Sequence, residues 1–123
     1  MGLQMAMAAS VRSITPQELA ARLRDPEAGP LQLIDVREPA ELELINLSAL
    51  GFRHYPLSCY KEWSERILRE LDPHCPTFVL CHYGIRSAQV SEWLQANGFT
   101  QVYNISGGIH AWALAVDPTL PTY

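Results

Sequence analysis

The chain has 123 residues, of which 48% are hydrophobic and 18% are charged, and its formal net charge at pH 7 is −4. This length suits a single domain with a sizeable core and leaves no room for a second one. The slight acidic excess argues against binders of nucleic acids or anionic membranes, which carry a surplus of basic residues.

Three segments are predicted along the chain. Residues 1–12 form a flexible N-terminal segment, residues 13–115 the folded domain, and residues 116–123 an extended C-terminal tail with two prolines. The start is apolar and rich in Met and Ala, but no cationic residue precedes this stretch, as it would in a signal peptide. No apolar run approaches the roughly 18 residues of a membrane helix.

The first predicted helix begins at Thr15. Thr15 at the N-cap, Pro16 at the first helical position and Glu18 at the third form a capping box with a proline in its favoured place. Leu19 gives the helix an apolar face, and the helix is expected to end near Asp25.

A nearly continuous apolar run over residues 31–36 then predicts a buried parallel strand that ends near Asp35. No hydrophobic period dominates residues 37–58. Within that segment we predict a short helical turn over residues 39–43 and a strand around residues 52–55.

The second half of the chain alternates helices and strands. Helical spacing covers residues 60–71, an apolar strand covers residues 77–81, and the next helix ends at Asn97-Gly98, a natural C-cap. A strand over residues 101–105 and a short helix over residues 109–115 follow. This alternation predicts an α/β fold with a mainly parallel central sheet flanked by helices.

Ligands of such sheets bind beyond the carboxyl ends of the strands, where Asp35 and Cys81 both stand. From Cys81 the chain reads Cys-His-Tyr-Gly-Ile-Arg-Ser, which combines a thiol at a strand end, a glycine for a tight loop and Arg86 at the start of a helix. Loop N–H groups and a helix N-terminus both favour an anion above the sulfur, and they also favour the reactive thiolate.

Arg86 is conspicuous by its charge. It is the only Lys or Arg among residues 70–123, and an Arg at a helix N-terminus is unfavourable without an anion nearby. We interpret Arg86 as part of an anion site. The alternative is that Arg86 pairs with a surface carboxylate of the protein itself.

Residues 81–87 resemble the active-site loop of rhodanese sulfurtransferases, whose pattern is Cys-x-x-Gly-x-Arg-Ser/Thr. Residues 33–38 (LIDVRE) resemble the first-strand signature of the family, and residues 107–112 (GGIHAW) its C-terminal signature. The resemblance spans residues 13–115, and the end of the chain is similar to single-domain cyanobacterial and plastid members. It implies a rhodanese-like three-layer α/β domain.

The resemblance implies a sulfurtransferase that moves a sulfane sulfur from thiosulfate or a similar donor to a thiol or cyanide through a persulfide on Cys81. Cys81 and Arg86 would be the catalytic residues, and Asp35 and Arg37 would support the loop structurally. The remaining loop residues would bind the anionic substrate: His82, Tyr83, Gly84, Ile85 and Ser87.

The same sequence pattern is compatible with two other functions. Related phosphatases and arsenate reductases place one more residue between Cys and Arg than the four found between Cys81 and Arg86, and their wider loop suits a tetrahedral anion. The other alternative is a rhodanese-fold module that binds a protein or carries sulfur without turnover. The intact Cys81 and Arg86 argue against such a module, because inactive family copies commonly lose the cysteine.

The predicted partners are a small anionic sulfur donor and a thiol or protein acceptor, without nucleic acid or membrane. The chain is expected to be a cytoplasmic monomer that needs no metal and no organic cofactor. Its three cysteines are too few for a disulfide scaffold and lack the spacing of a zinc site. Cys59 stays open as a resolving thiol.

Overall fold

The computed structural model describes residues 11–123, in which five strands form one sheet in the order β1-β5-β4-β2-β3. The strands are β1 (Arg12–Ile14), β2 (Gln32–Asp35), β3 (Phe52–His54), β4 (Thr77–Leu80) and β5 (Val102–Ile105). Every neighbouring pair is parallel. The carboxyl ends of all five strands therefore lie at the same edge of the sheet.

Helices cover both faces of this sheet. They are α1 (Pro16–Arg24), α2 (Pro39–Leu42), α3 (Tyr60–Glu70), α4 (Ile85–Ala96) and α5 (Gly108–Ala115). Buried residues of α1 and α5 pack against one face, and those of α3 and α4 against the other. The sheet is thus the middle of three layers, which confirms the predicted α/β architecture.

The alternation of side chains along β4 decides on which side the thiol lies. Phe78 and Leu80 pack into the hydrophobic cluster with α1 and α5, whereas Val79 and Cys81 pack into the cluster with α3 and α4. Successive side chains of a strand point to opposite faces, so the position of Cys81 follows from the register of the strand.

The capping box predicted for α1 is confirmed. Thr15 Oγ1 accepts a hydrogen bond from the N–H of Glu18 over 3.1 Å, and Glu18 Oε1 accepts one from the N–H of Thr15 over 2.9 Å. The bond from the Thr15 backbone is the main cause of the lowered pKa of Glu18. The helix ends at Arg24 with Asp25 as its C-cap, as expected.

The turn and the strand predicted within residues 37–58 are also confirmed, as α2 and β3. The sequence did not predict β1, because two of its three residues are exposed and it contains no apolar run. Of the predicted N-terminal segment, residues 1–10 lie outside the described residues, and Arg12 is the first residue of β1. Among residues 11–123, no helix has the length and apolar character needed to cross a bilayer.

Candidate active site

Cys81 directly follows β4, and only 1% of its surface is exposed. The loop after it ends at Gly84, whose φ of 98° lies in the left-handed region, and α4 begins at the next residue. A Cβ on Gly84 would lie 3.2 Å from the main-chain nitrogen of Gly107. Both the backbone conformation and the available space at position 84 therefore favour glycine.

Two polar groups contact the sulfur of Cys81. The N–H of Gly84 donates a hydrogen bond to Sγ over 3.0 Å, and Ser87 Oγ lies 3.1 Å from Sγ. Ser87 Oγ also donates to the side-chain oxygen of Asn104 on β5, and Asn104 Nδ2 donates to the carbonyl oxygen of Gly84 over 2.9 Å. The thiol, its loop and the neighbouring strand are thus joined in one hydrogen-bonded ring.

The N-terminus of α5 holds the carbonyl groups of the loop. The N–H of Ile109 donates to the oxygen of Cys81 over 2.8 Å, and the N–H of His110 donates to the oxygen of His82 over 3.1 Å. First-turn N–H groups have no partner within their own helix, so the loop satisfies them. A Cβ on Gly108 would overlap the carbonyl oxygens of both Cys81 and His82, so only glycine permits this approach.

The carbonyl groups of Cys81, His82 and Gly84 are engaged, and the loop leaves N–H groups for a ligand. Among residues 11–123, no acceptor takes the N–H of His82 or Tyr83. The N-cap of α4 is Gly84, and no side-chain bond caps this helix. Unpaired N–H groups and the positive end of a helix dipole both attract an anion, so the backbone next to the sulfur is a candidate anion cradle.

Arg86 pairs with Glu41 of α2. Arg86 Nη1 donates to Glu41 Oε1 over 2.7 Å, and Nη2 donates to Oε2 over 3.0 Å. Burial opposes the charge on Glu41, but the bonds from Arg86, the N–H of Glu38 and Tyr123 lower its pKa to about 2. The bond to Glu41 in turn raises the pKa of Arg86. The free cation expected at the cradle is therefore half of an ion pair, which is the alternative that the sequence left open.

Asp35 and Arg37 form a second ion pair after β2. Arg37 Nη2 lies 2.7 Å from Asp35 Oδ2, and the side chains are 0% and 3% exposed. The same nitrogen donates to the carbonyl oxygen of Ile45 over 2.7 Å. Burial opposes the charge on Arg37, but its bonds to Asp35 and Tyr123 raise its pKa overall. All of these partners belong to the protein itself, so the pair remains a candidate for structural support.

Aromatic rings cover the outer side of the loop. The ring of His82 lies between those of Tyr83 and Tyr123, with centroid distances of 4.0 and 3.8 Å. His82 Nε2 is buried and has no hydrogen-bond partner among residues 11–123. Tyr83 and Ile85 are 52% and 72% exposed. Of the predicted substrate-binding residues, Gly84 and Ser87 therefore contact the sulfur, whereas Tyr83 and Ile85 lie at the surface.

Three residues of this site were not identified from the sequence: Glu41, Asn104 and Tyr123. The sequence does contain a signal for Asn104, because a polar side chain near the carboxyl end of a buried strand lies in the region where such sheets bind ligands. Glu41 is one of several glutamates in a segment without a clear hydrophobic period, and Tyr123 lies in the predicted tail. Only the folded structure shows that Glu41 and Tyr123 belong to the site.

Comparison with known proteins gives consistent matches. The family described as Rhodanese-like domain matches residues 15–115 of the chain. The chain is 48% identical over 114 residues to Rhodanese-like/PpiC domain-containing protein 12, chloroplastic, from Arabidopsis thaliana. This alignment covers 92% of this chain and 38% of that protein. The chain is also 29% identical over 97 residues to thiosulfate sulfurtransferase GlpE from Pseudomonas putida, and that alignment covers 79% of this chain and 81% of GlpE.

Among solved structures, the crystal structure of a rhodanese-like domain protein from Staphylococcus aureus superposes with a TM-score of 0.68 at 30% sequence identity. That match covers 92% of this chain and 99% of the staphylococcal one. The chain thus spans nearly the whole of a small neighbour but less than half of the Arabidopsis protein.

Proposed function

The chain belongs to the family of rhodanese-like domains, and on this premise we propose that it transfers a sulfane sulfur through a persulfide on Cys81. Its relatives include a thiosulfate sulfurtransferase. The observation that carries the proposal is the N–H of Gly84, 3.0 Å from the Cys81 sulfur, in a loop where the N–H groups of His82 and Tyr83 have no acceptor among residues 11–123.

In the first half-reaction, the thiolate of Cys81 attacks the outer sulfur of thiosulfate. A bond forms between the two sulfur atoms, the bond between the outer sulfur and the sulfonate sulfur breaks, and its electron pair leaves with sulfite. Three negative charges enter this step and three remain, one on the persulfide and two on sulfite. The total charge of the reactants does not change in this step, so the site must stabilise negative charge both before and after the sulfur is transferred.

In the second half-reaction, a nucleophilic acceptor attacks the outer sulfur of the persulfide and regenerates the Cys81 thiolate. A thiolate acceptor leaves as a persulfide, and cyanide leaves as thiocyanate. Both acceptors are anionic, so the same N–H groups serve both half-reactions. No metal and no organic cofactor enters either step.

The free N–H groups of the cradle supply most of the proposed stabilisation. They are fixed dipoles that need no reorganisation when charge moves from the thiolate to the leaving group. The charge of Arg86 is offset by Glu41, so the pair contributes local dipoles and shape and adds no net charge. An overall charge of −4 is compatible with this arrangement, because the attraction is local.

The hydroxyl of Ser87 is proposed to reorient toward the sulfur when the sulfur carries a negative charge. Its hydroxyl has one proton, which it donates to Asn104 while Ser87 Oγ lies 3.1 Å from the sulfur. Rotation of this hydroxyl would direct the proton to the thiolate or to the persulfide. We therefore assign Ser87 a role in stabilising the sulfur anion, held in place by Asn104.

Mass spectrometry after incubation with thiosulfate tests the proposal. We expect the peptide that contains Cys81 to gain the mass of one sulfur atom, and the gain to be absent in Cys81→Ser. Cys75→Ser is the matched control, because Cys75 is a free cysteine at the opposite end of β4. This control variant should load sulfur as the wild type does.

Two outcomes would contradict the proposal. If the folded protein gains no sulfur from thiosulfate or from a small persulfide donor, the chain is a module that binds a partner without turnover. If it hydrolyses an aryl phosphate and Arg86→Ala abolishes that activity, it belongs to the phosphatase-like alternative.

The donor is proposed to be a small sulfur anion, and the acceptor a thiol on a small molecule or a protein. The proposed setting is a reducing compartment such as the cytoplasm, because the mechanism requires Cys81 as a free thiol. Gel filtration of the protein tests the proposed monomeric state.

A further inference from the structure

The segment after α5, residues 116–123, packs back against the domain, and we call it the strap. The side chains of Val116, Leu120 and Tyr123 are partly buried against the cluster formed with α1 and α5. The N–H of Asp117 donates to the oxygen of Trp112 over 3.1 Å, and the N–H of Leu120 donates to the oxygen of Asp117 over 3.1 Å. Apolar packing and backbone hydrogen bonds thus fix the course of the strap.

The ring of Tyr123 stacks on the active-site loop. Its plane lies 15° from that of His82, with the centroids 3.8 Å apart, and His82 directly follows the nucleophile. On its other face, His82 stacks on Tyr83, whose hydroxyl lies 3.4 Å from the carbonyl oxygen of Tyr123. The strap therefore contacts His82 and Tyr83, the two consecutive loop residues whose N–H groups have no acceptor within the described part of the chain.

The hydroxyl of Tyr123 connects the two ion pairs. It accepts a hydrogen bond from Arg37 Nη1 over 3.1 Å and donates one to Glu41 Oε2 over 2.8 Å. The same Glu41 oxygen accepts a bond from Arg86 Nη2 over 3.0 Å. One side chain thus contacts the loop, the Glu41 side of one ion pair and the Arg37 side of the other.

We propose that Tyr123 is a positioning residue, which keeps the 82–86 loop in the conformation that presents its N–H groups to an anion. Its ring fixes His82, and its hydroxyl keeps Glu41 aligned with Arg86. The choice of thiosulfate as the natural anion rests on the proposed function, whereas the effect of Tyr123 on the cradle does not. Tyr123 itself takes no part in sulfur transfer.

Alkylation of Cys81 tests this proposal without any sulfur transfer. Iodoacetate and iodoacetamide react with the thiolate by the same displacement and differ chiefly in charge. The ratio of their rates at Cys81, resolved by peptide mass spectrometry, therefore measures how strongly the cradle attracts an anion. Both the thiolate fraction and the access of the reagent to the sulfur cancel in this ratio.

Tyr123→Ala is expected to lower the ratio of iodoacetate to iodoacetamide rates at least about threefold, because the N–H groups lose their fixed orientation. Tyr123→Phe keeps the stacked ring and should lower the ratio less. Tyr103→Ala is the matched control, since Tyr103 is also partly buried against the same cluster and stacks on an aromatic ring, Phe78, away from the loop. This control should leave the ratio unchanged.

Hydrogen exchange supplies a second readout. In Tyr123→Ala, the hydrogen-bonded amides that hold the loop should exchange at least about tenfold faster, while those of β4 and β5 keep their rates. These are the amide of Gly84, bound to the Cys81 sulfur, and those of Ile109 and His110, bound to loop carbonyl groups. Unchanged ratio and exchange in Tyr123→Ala would overturn the proposal. An equal change in Tyr103→Ala would also overturn it, because general destabilisation would then explain both.

Steady-state kinetics then connects the positioning role to turnover. Tyr123→Ala should raise KM for thiosulfate about fivefold and change kcat less than about twofold, because bound thiosulfate can itself select the loop conformation that Tyr123 otherwise maintains. A fall in kcat at unchanged KM would contradict a positioning role. If the wild type forms no persulfide, the proposed function fails, and the alkylation ratios still decide the role of Tyr123.

Discussion

The charged side chains near Cys81 cancel in pairs. Asp35 is bound to Arg37, and Glu41 to Arg86, so two carboxylates face two guanidinium groups. A neutral set of this kind fixes geometry and leaves the attraction of an anion to backbone N–H groups. This arrangement is compatible with the proposed reaction, in which one anion enters the site and a different anion leaves it.

Glu41→Gln is expected to remove an acid-sensitive part of the stability. The pKa of Glu41 is about 2 in the fold against a reference value of 4.5, so ionised Glu41 contributes fully above pH 4.5, and this contribution is lost as the pH falls through 2. Urea titrations between about pH 6 and about pH 3 should therefore show a shallower fall of the unfolding free energy in the variant.

The exposed neighbour Glu43 provides the control, since Glu43→Gln should keep the pH slope of the wild type. Near neutral pH, Glu41→Gln should cost about 1–2 kcal/mol, because Arg86 loses a charged partner. Equal pH slopes in wild type and Glu41→Gln would show that this ion pair does not stabilise the fold.

Gly108→Ala should destabilise the protein by about 2–4 kcal/mol and impair sulfur loading, because the added Cβ pushes α5 away from the Cys81 and His82 carbonyl groups. Gly98→Ala is the matched control. Its φ of +97° is also left-handed, but no atom lies within 4 Å of the added Cβ. It should cost about 1–2 kcal/mol from the backbone alone and leave sulfur loading intact. Equal costs for both variants would contradict the close approach at Gly108.

At the level of elements, the N-terminal ends of helices position the site. The N-terminus of α4 faces the cradle, and the N-terminus of α5 binds the carbonyl groups of the same loop. The Glu41 that binds Arg86 lies on α2, which is only four residues long and includes no buried residue. The position of α2 therefore depends on tertiary contacts rather than on helix propensity.

The α1 helix, by contrast, has local signals of its own. Thr15→Ala should destabilise the fold by about 1 kcal/mol, because the variant loses the side-chain cap of the Glu18 N–H. Ser64→Ala within α3 serves as the control and should change stability by less than about 0.5 kcal/mol. Urea unfolding measures both. A loss of sulfur loading in folded Thr15→Ala would contradict a purely structural role for this cap.

At the level of the whole molecule, one sheet separates two hydrophobic clusters that are expected to unfold together. Phe78 is fully buried in the cluster with α1 and α5, and Trp63 is 1% exposed in the cluster with α3 and α4. The rings of Trp63 and Trp93 lie edge to face, with centroids 5.9 Å apart, between α3 and α4. Since β4 contributes to both clusters, neither can form without the sheet.

Phe78→Ala and Trp63→Ala should therefore each lower the unfolding free energy by about 3–5 kcal/mol within a single transition. Urea unfolding followed by both far-ultraviolet circular dichroism and tryptophan fluorescence measures this. Two separate transitions in either variant would show that the clusters are independent.

The sequence by itself determined the features that depend on neighbouring residues. The capping box at Thr15, the buried strands β2 and β4, and the loop from Cys81 to Arg86 follow from φ preferences, hydrophobic period and helix-end chemistry within a few positions. Together with the alternation of helices and strands, those signals predicted an α/β domain with a mainly parallel sheet and placed the thiol at the carboxyl end of a strand.

Only the tertiary structure decided which partners these groups meet. Arg86 binds a carboxylate 45 residues away, and the hydroxyl of Tyr123 binds the same carboxylate across 82 residues. Strand β1, with three residues and little apolar character, exists because the backbone of β5 is available to pair with it. An ion pair or a strand pairing depends on distance in space, and that distance is set by the order of the strands rather than by any local pattern.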